Sequence, residues 1–305
     1  MNEDLGNWCL IESDPGVFSE LIKGYGVEGL ECEEIYDIND TSNVCDAVGF
    51  IFLFKWENNK ALNESSVDES TKTDDLYFAH QVYANTCATQ ALVNLMMNLQ
   101  RPGVTLGQNL DNLKEASKGL SYKEKGYFLG SCDNIRIIHN SFSNQNMFCL
   151  DKKNEETDKD NYHFVAYLPI NGSLYELDGL KSSPIKYCEI PKDSNWIEAA
   201  KPIIKERMSK NVDGNFSLMA IVPDKLKSLE QQLSALKEIG NADQEIVTAL
   251  EDSIKFKKRE KFKTAADIAM KRHNYLPMVI NTLRLMAKKK ILVKAIEETR
   301  QQIKA

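Results

Sequence analysis

A helix that begins at a cysteine is the feature that most constrains this chain. The stretch from Gln81 to Asn98 reads QVYANTCATQALVNLMMN, and from Cys87 onward its apolar residues recur at intervals of three and four. That spacing predicts an amphipathic helix that is buried along one face. Asn85 and Thr86 are residue types that cap helices by accepting hydrogen bonds from the first free backbone N–H groups. We therefore expect Cys87 in the first turn of the helix.

The expected position of Cys87 favours a reactive thiol. The positive end of a helix dipole stabilises the thiolate, which is the nucleophilic form of cysteine. Most cysteines in globular proteins are instead inert apolar residues. A nucleophilic Cys87 therefore needs a base close by, usually a histidine, and often a third group that orients the imidazole.

Length and composition limit the class of protein. The chain of 305 residues has room for one large core or for two domains. Its seven cysteines are dispersed and odd in number, which favours free thiols in a reducing compartment over a disulfide framework. No apolar run approaches the roughly 18 to 20 residues of a membrane helix, and the acidic start does not resemble a secretory signal. We expect an intracellular protein with no membrane contact, and we find no ligand pattern typical of a metal site.

The net charge of -7 conceals an asymmetry along the chain. Residues 251–305 carry 15 Lys and Arg against 6 Asp and Glu, so the rest of the chain is strongly acidic. Such a basic segment can bind nucleic acid or an acidic partner, but a solvated helical face is the default interpretation. Few aromatic residues interleave with these basic residues, which argues against single-stranded nucleic acid as a partner.

The pattern of the first 223 residues predicts an α+β core, because strands and helices intermix without strict alternation. The apolar run at 47–56 predicts a buried central strand. Further strands are predicted just after Trp8 and at 33–38, 162–168, 173–178 and 216–222, and helices are predicted before Gly24 and at 106–116, 131–141 and 197–208. Residues 58–75 and 143–161 are polar and predict exposed connections. A connection as long as the second is usually functional or disordered.

The sequence changes character after residue 223. Residues 224–305 contain four helical patterns, at 226–236, 246–270, 275–287 and 291–303. Their apolar stripes have too little partner surface among themselves, so we expect them to dock on the core or on another protein. We therefore divide the chain into a core of residues 1–223 and a helical extension of residues 224–305.

A predicted β-hairpin supplies the base that Cys87 needs. Asn171 and Gly172 separate two strand patterns and tolerate the backbone angles of a tight turn. His163 begins the first strand and Asp178 ends the second, so the hairpin brings the two side chains to the same end. A His–Asp pair is as often a structural hydrogen bond as a catalytic one, and both interpretations stay open on geometry alone.

Gln81 is the candidate for a fourth role. It precedes Cys87 by six residues, so its side-chain amide can reach an oxyanion that develops next to the thiol. The backbone N–H of Cys87 can supply a second donor. A glutamine in a loop is otherwise an ordinary surface residue.

With Gln81, Cys87, His163 and Asp178 in this order, the chain closely resembles the ubiquitin C-terminal hydrolase family of cysteine proteases. Within that family it resembles the proteasome-associated branch, which carries a C-terminal extension. The resemblance covers nearly the full length. It is carried by WCLIESDPGVF from Trp8, GFIFLFKW from Gly49, CATQA from Cys87, YELDGL from Tyr175 and HNYLP from His273.

The resemblance implies a mechanism and a fold. Cys87 is expected to attack the carbonyl at the C-terminal glycine of ubiquitin, while His163 acts as base and then as acid. Asp178 is expected to orient His163, and Gln81 to help stabilise the oxyanion. The family fold is a papain-like core with a knotted backbone, in which residues 145–161 match a crossover loop that limits the size of substrates. No cofactor is implied.

The resemblance also implies partners. Ubiquitin must dock near the thiol, and Phe216 is expected to be one contact unless it belongs to the core. In this branch the extension binds a proteasomal ubiquitin receptor and, in animals, also a chromatin-remodelling complex, which implies a cytoplasmic and nuclear protein. The segment from His273 to Pro277 matches that binding element, whereas the chain ends at Ala305, short of the usual lysine-rich tail.

Two other functions fit parts of the same pattern. A thiol acyltransferase uses the same Cys-His-Asp chemistry on a small acyl donor. A catalytically silent adaptor would use only the helical extension. The hydrolase interpretation is preferred because all four candidate site residues are present.

Overall fold

The structure is a computed structural model that describes residues 7–55, 76–99, 101–142, 162–192, 194–210, 215–239, 243–273 and 275–304. The predicted connections at 58–75 and 143–161 lie outside these residues, and so does the matched crossover loop at 145–161.

An antiparallel sheet of six strands forms the centre of the described structure, in the order β1-β6-β2-β3-β4-β5. The apolar run predicted as a central strand lies inside the sheet as β2, which confirms that prediction. The strands are β1 Leu30–Glu34, β2 Gly49–Lys55, β3 Tyr162–Ile170, β4 Ser173–Leu177, β5 Ile185–Glu189 and β6 Phe216–Pro223.

Ten α-helices in the described ranges surround or follow the sheet. In the core they are α1 Pro15–Gly24, α2 Cys87–Met96, α3 Gly107–Ala116, α4 Tyr122–Gly130, α5 Asp133–Asn140 and α6 Trp196–Lys210. After β6 come α7 Lys225–Ile239, α8 Gln244–Arg272, α9 Leu276–Lys288 and α10 Leu292–Lys304. None of these helices is both long enough and apolar enough to cross a membrane. The predicted α+β core followed by helices is confirmed.

Each face of the sheet packs against its own apolar cluster, because successive side chains of a strand point to opposite faces. In β2, Ile51 belongs to the cluster that includes α1 and α2, whereas Phe50 and Phe52 belong to the cluster that includes α6. The sheet is therefore buried on both sides. A strand with two buried faces reads as a continuous apolar run rather than an alternating one.

The predicted hairpin between β3 and β4 is confirmed. Ile170 pairs with Ser173, and the two residues between them, Asn171 and Gly172, have φ angles of 48° and 74°. These are the left-handed angles of a two-residue hairpin turn. The turn sets the register and so brings the start of β3 next to the end of β4.

The α2 helix differs from its prediction in two respects. All ten of its residues are buried, not one face only, because the sheet covers one side while α5 and the segment before α2 contact the others. The prediction that the side chain of Thr86 caps the helix is also wrong. Thr86 occupies the cap position with helical backbone angles, and its hydroxyl donates to the carbonyl of Tyr83 at 2.9 Å.

The elements of the core also differ from the predictions in three ways. The residues after Trp8 form no strand, since they are held by side chains rather than by a ladder. The strand predicted at 33–38 is β1, which pairs with β6 over Leu30–Glu34. Helix α4 and strand β5 are missing from the predictions, although Ser121 and Glu124 form a capping box that marks the start of α4. Strand β5 is an edge strand with mixed burial and an irregular register.

Helix α8 packs against α1 of the core, as the apolar stripes of the extension predict. Thr264 and Ile268 lie over Gly16 of α1, where a Cβ atom would be 2.8 Å from the Thr264 methyl group. Lys271 forms an ion pair with Asp14 at 2.6 Å. By contrast, no residue of α9 is buried. The division at residue 223 stays a prediction.

Candidate active site

Cys87 is the first residue of α2, as predicted, and it is buried. The approach to it is shaped by Asn85, whose backbone has the left-handed φ angle of 63° that asparagine tolerates better than most residues. The Asn85 side chain donates to the carbonyl oxygen of Trp8 at 2.9 Å. The N-terminal segment therefore fixes the turn that delivers the chain into α2.

His163 and Asp178 form the predicted pair. Nε2 of His163 lies 2.6 Å from Oδ1 of Asp178, and both side chains are about 5% exposed. The backbone N–H of Leu180 donates to the same carboxylate oxygen at 3.0 Å. Because Nε2 faces Asp178, Nδ1 is the ring nitrogen left for the thiol of Cys87, which lies near enough to raise the pKa of His163.

The surroundings of His163 favour its charged form. Burial opposes the charge, but the hydrogen bonds to Asp178 and Cys87 outweigh it and raise the pKa of His163 to about 9. Burial likewise opposes the Asp178 carboxylate, yet His163, Leu180 and Arg207 hold the pKa of Asp178 below its ordinary value. At neutral pH the site therefore presents an imidazolium next to the thiol of Cys87.

A row of amide side chains on α2 and the turn that follows it positions the segment before the nucleophile. Asn98 pairs with both the N–H and the carbonyl of Tyr77 at 2.7 Å, as a neighbouring strand would. One turn earlier, Asn94 does the same for Ala79 at 2.8 and 3.1 Å. A third amide, Gln90, also donates to the carbonyl of Ala79. These contacts hold the chain alongside α2, in the antiparallel direction, up to the residue before His80.

Gln81 follows this segment and lies next to the His–Asp hairpin. Its backbone N–H donates to the carbonyl of Gly179 at 2.7 Å, one residue after Asp178. Its Nε2 makes a long bond of 3.3 Å to the carbonyl of Tyr83, and its buried Oε1 has no partner among the described residues. The amide is thus close to the site and only weakly held.

The amide row was missed by sequence reasoning, although a signal for it exists. Gln90, Asn94 and Asn98 recur every four residues in a stretch that is mostly apolar. Polar side chains that are buried in this way need partners. Glu176 and Arg207, which lie behind Asp178, were also missed, because nothing local in the sequence pairs a residue of β4 with one of α6.

We predict that replacing Asn94 with Leu lowers the free energy of unfolding by about 2 to 4 kcal/mol. The change leaves the buried N–H of Ala79 without a partner and weakens the pairing of its carbonyl, at about 1 to 3 kcal/mol for each unsatisfied group. Denaturant unfolding measures the loss. Asn39→Leu is the matched control, since Asn39 makes only exposed contacts with Asp37. Equal stability of the two variants would contradict the role of the amide row.

Phe216 lies at the exposed start of β6 and is 38% exposed. It pairs with Phe54 of β2, and Phe54 in turn pairs with His163 of β3. The Phe54 ring meets the imidazole edge-on at 5.9 Å between centroids. Phe216 is therefore partly exposed on the same register row as His163, where it contacts the core through Phe52.

The arrangement can perform nucleophilic acyl transfer. It combines a thiol at a helix N-terminus, an imidazole that can carry a proton, a carboxylate that fixes the ring, and amide donors beside the thiol. Among the described residues, no group of three or more His, Cys, Asp or Glu side chains is arranged to hold a metal ion.

Comparison with known proteins identifies relatives of the whole chain. The family described as ubiquitin carboxyl-terminal hydrolase, family 1, matches residues 8–209. Ubiquitin carboxyl-terminal hydrolase ubh-4 of Caenorhabditis elegans is 41% identical over 99% of this chain and 94% of its own length. Ubiquitin carboxyl-terminal hydrolase isozyme L5 of Dictyostelium discoideum is 32% identical over 99% of this chain and 98% of its own length.

A solved structure is similar as well. Trichinella spiralis UCH37 bound to ubiquitin vinyl methyl ester has 34% identity and a TM-score of 0.71. The match covers 85% of this chain and 100% of that chain. Similarity over this extent reaches beyond the core strands into the helices that follow β6.

Proposed function

The chain belongs to family 1 of the ubiquitin carboxyl-terminal hydrolases, which are cysteine-type deubiquitinases, and we propose that it cleaves the bond after the C-terminal glycine of ubiquitin through Cys87. The observation that carries the assignment of residues is the buried 2.6 Å pair of His163 and Asp178, which lies beside Cys87 at the start of α2. A nucleophile, a base and an orienting group in contact are the minimum that this chemistry requires.

The proposed reaction proceeds in two acyl transfers. The Cys87 thiolate attacks the glycine carbonyl, and the resulting oxyanion collapses as His163 donates its proton to the leaving amine. The product is a thioester between Cys87 and ubiquitin. His163 then takes a proton from water as the water attacks the thioester, and ubiquitin leaves with a free carboxylate. Asp178 holds the ring and stabilises its charged form in both steps.

We assign oxyanion stabilisation to two donors. The backbone N–H of Cys87 is one, because the first N–H groups of a helix have no partner within the helix. The side-chain amide of Gln81 is the other. Its long bond to Tyr83 is weak enough to be exchanged for a stronger bond to a developing negative charge.

Ubiquitin is the substrate in this proposal, with Phe216 as one contact. The relative from Trichinella spiralis was solved with a ubiquitin derivative bound, which supports ubiquitin binding by this family. Phe216 supports the contact by its exposure and by its place on the register row of His163. Partly exposed aromatic side chains are common in protein–protein interfaces.

We also propose that the extension of residues 224–305 recruits the enzyme to a proteasomal ubiquitin receptor and, where one is present, to a chromatin-remodelling complex. These partners place the protein in the cytoplasm and the nucleus. The proposal is supported by the unburied apolar residues of α9, which are Met278, Ile280, Leu283 and Leu285.

Leu283→Glu should abolish binding of a purified receptor, whereas Ile137→Glu, at an exposed position of α5, should not. Equal binding by both variants would contradict this use of α9.

Hydrolysis of a fluorogenic ubiquitin amide tests the proposed activity. The full chain should release the fluorophore, and the rate should saturate as the concentration of the ubiquitin amide rises. A catalytically silent adaptor would leave the amide intact with or without a partner protein. A thiol acyltransferase would show transfer from a small acyl donor and no cleavage of ubiquitin, and either result would overturn the proposal.

The pH dependence should show the link between Asp178 and His163. We predict that kcat/KM of the wild-type chain falls above a pH of about 9, where His163 loses the proton that it must donate. Replacing Asp178 with Asn removes the carboxylate that raises the pKa of His163, so this alkaline limb should move to lower pH and kcat should fall by about 10² to 10⁴. An alkaline limb that stays in place would contradict the assigned role of Asp178.

A further inference from the structure

A guanidinium behind the site contacts both supports of His163. Arg207 of α6 lies with Nη2 4.0 Å from Oδ2 of Asp178, the carboxylate that binds the imidazole. The same guanidinium stacks on the Phe54 ring at 4.4 Å, and that ring meets the imidazole edge-on. Arg207 thus contacts two neighbours of His163, the Asp178 carboxylate and the Phe54 ring.

A buried polar cluster holds Arg207 in this position. Its Nη1 lies 2.6 Å from Oε2 of Glu176 and donates to the hydroxyl oxygen of Tyr167 at 2.9 Å. Glu176 is 1% exposed and also accepts hydrogen bonds from Tyr167 at 2.8 Å and from Tyr187 at 2.7 Å. A buried carboxylate with three donors is compensated, so it can serve as a fixed anchor. The guanidinium is therefore held in place by the cluster, although it keeps partial access to solvent.

The geometry requires arginine in particular. A planar guanidinium can pair with Glu176 through one edge, extend a second nitrogen toward Asp178, and lay its flat face on Phe54. The ammonium group of lysine carries the same charge but has no flat face and cannot span the two carboxylates in the same way. The cluster thus uses the shape of the side chain as well as its charge.

We propose that Arg207 is a positioning residue of the catalytic site, which fixes the Asp178 carboxylate and the Phe54 ring and thereby the orientation of the His163 imidazole. This inference rests on the proposed function, because it concerns the residues that the mechanism uses. Arg207 itself touches neither the thiol nor the ubiquitin bond in this scheme. It acts through Asp178 and Phe54.

The charges around Asp178 give the proposal a measurable signature. The ionisable groups that act on Asp178 are His163 on β3, Arg207 on α6 and His80 before α2. Glu176 on β4 shares Arg207 with it, and Cys87 on α2 interacts with His163. Arginine is the one cation in this set that stays protonated at every working pH. Loss of its charge should make the carboxylate of Asp178 easier to protonate.

The test compares Arg207→Met, Arg207→Lys and a matched control. Lys210→Met removes a cation one turn further along α6 whose ion pair with Glu206 is exposed. With the fluorogenic ubiquitin amide, Arg207→Met should lower kcat at least about tenfold with little change in KM, since a small misplacement of a catalytic group is costly. The acid limb of kcat/KM should move up by about one pH unit. Arg207→Lys should keep the acid limb and lower kcat, and Lys210→Met should match the wild-type chain.

A second measurement reads the same carboxyl group without turnover. The ¹³C resonance of the Asp178 carboxyl should titrate about one pH unit higher in Arg207→Met than in the wild-type chain. If Arg207→Met does not fold, Glu176→Gln replaces it, because this change weakens the contacts that hold Arg207. Glu176→Gln should lower kcat and should raise the pH at which the Asp178 carboxyl titrates. An active wild-type chain whose variants show unchanged kcat and unchanged titration would overturn the role of Arg207. An inactive wild-type chain would overturn the proposed function instead, and the carboxyl titration would still decide the positioning role.

Discussion

Replacing Cys87 with Ala is expected to lower turnover of a ubiquitin amide by at least about 10⁴-fold, because the thioester intermediate cannot form without the sulfur. Alanine is compatible with the first turn of a helix and is smaller than cysteine, so the fold should persist. Binding of ubiquitin should also persist, since the thiol contributes chemistry rather than contact area. Steady-state kinetics and a ubiquitin-binding titration measure the two effects on the same preparation.

The chain offers a matched control for this change. Cys45 is an exposed free cysteine on the other side of the sheet from α2, near the 3₁₀ turn at Ser42–Val44. Cys45→Ala should leave turnover unchanged, which shows that the loss is specific to Cys87. Residual turnover of Cys87→Ala within tenfold of the wild-type chain would mean that another group is the nucleophile.

Replacing His163 with Gln is expected to lower kcat by at least about 10³-fold. Glutamine can hydrogen-bond to Asp178 but cannot accept and return a proton, so it fails as the acid in the first step and as the base in the second. The thiolate also loses its neighbouring cation. Alkylation of Cys87 by iodoacetamide at neutral pH, followed by mass spectrometry of the peptide, should therefore slow in parallel with turnover. Alkylation at the wild-type rate would contradict the contact between the two side chains.

The same variant tests the charge of His163 through stability. The folded-state pKa of about 9 lies above the unfolded value of 6.5. The charged pair with Asp178 therefore contributes fully to stability below pH 6.5, and this contribution is lost as the pH rises through 9. The wild-type chain should lose stability over this interval relative to His163→Gln. Parallel curves for the two proteins would show that the pKa of His163 is the same in the folded and the unfolded chain.

The parts of the site that depend on local sequence could be predicted before the structure. The spacing after Cys87 identifies the helix start, and the Asn171–Gly172 turn fixes a register that brings His163 to Asp178. A two-residue turn leaves almost no freedom in the pairing of the strands that it joins. This part of the geometry therefore follows from a short stretch of sequence.

The remaining parts depend on contacts between distant segments. Full burial of α2 results from its neighbours, which the spacing within α2 does not reveal. Thr86 loses its expected capping role because the turn at Asn85 is anchored to Trp8, far away in sequence. Arg207 meets Glu176 only after α6 has packed across the sheet. Propensity and periodicity describe local preference, and tertiary contacts of this kind override it.

The most direct test of the central claim is covalent trapping with ubiquitin that carries an electrophile at its C-terminus. The wild-type chain should form one stable adduct, and mass spectrometry should locate it on Cys87. Cys87→Ala should form none, and His163→Gln should form it much more slowly. No adduct on the wild-type chain, or an adduct on one of the other six cysteines, would contradict the assignment of Cys87 as the nucleophile that attacks ubiquitin.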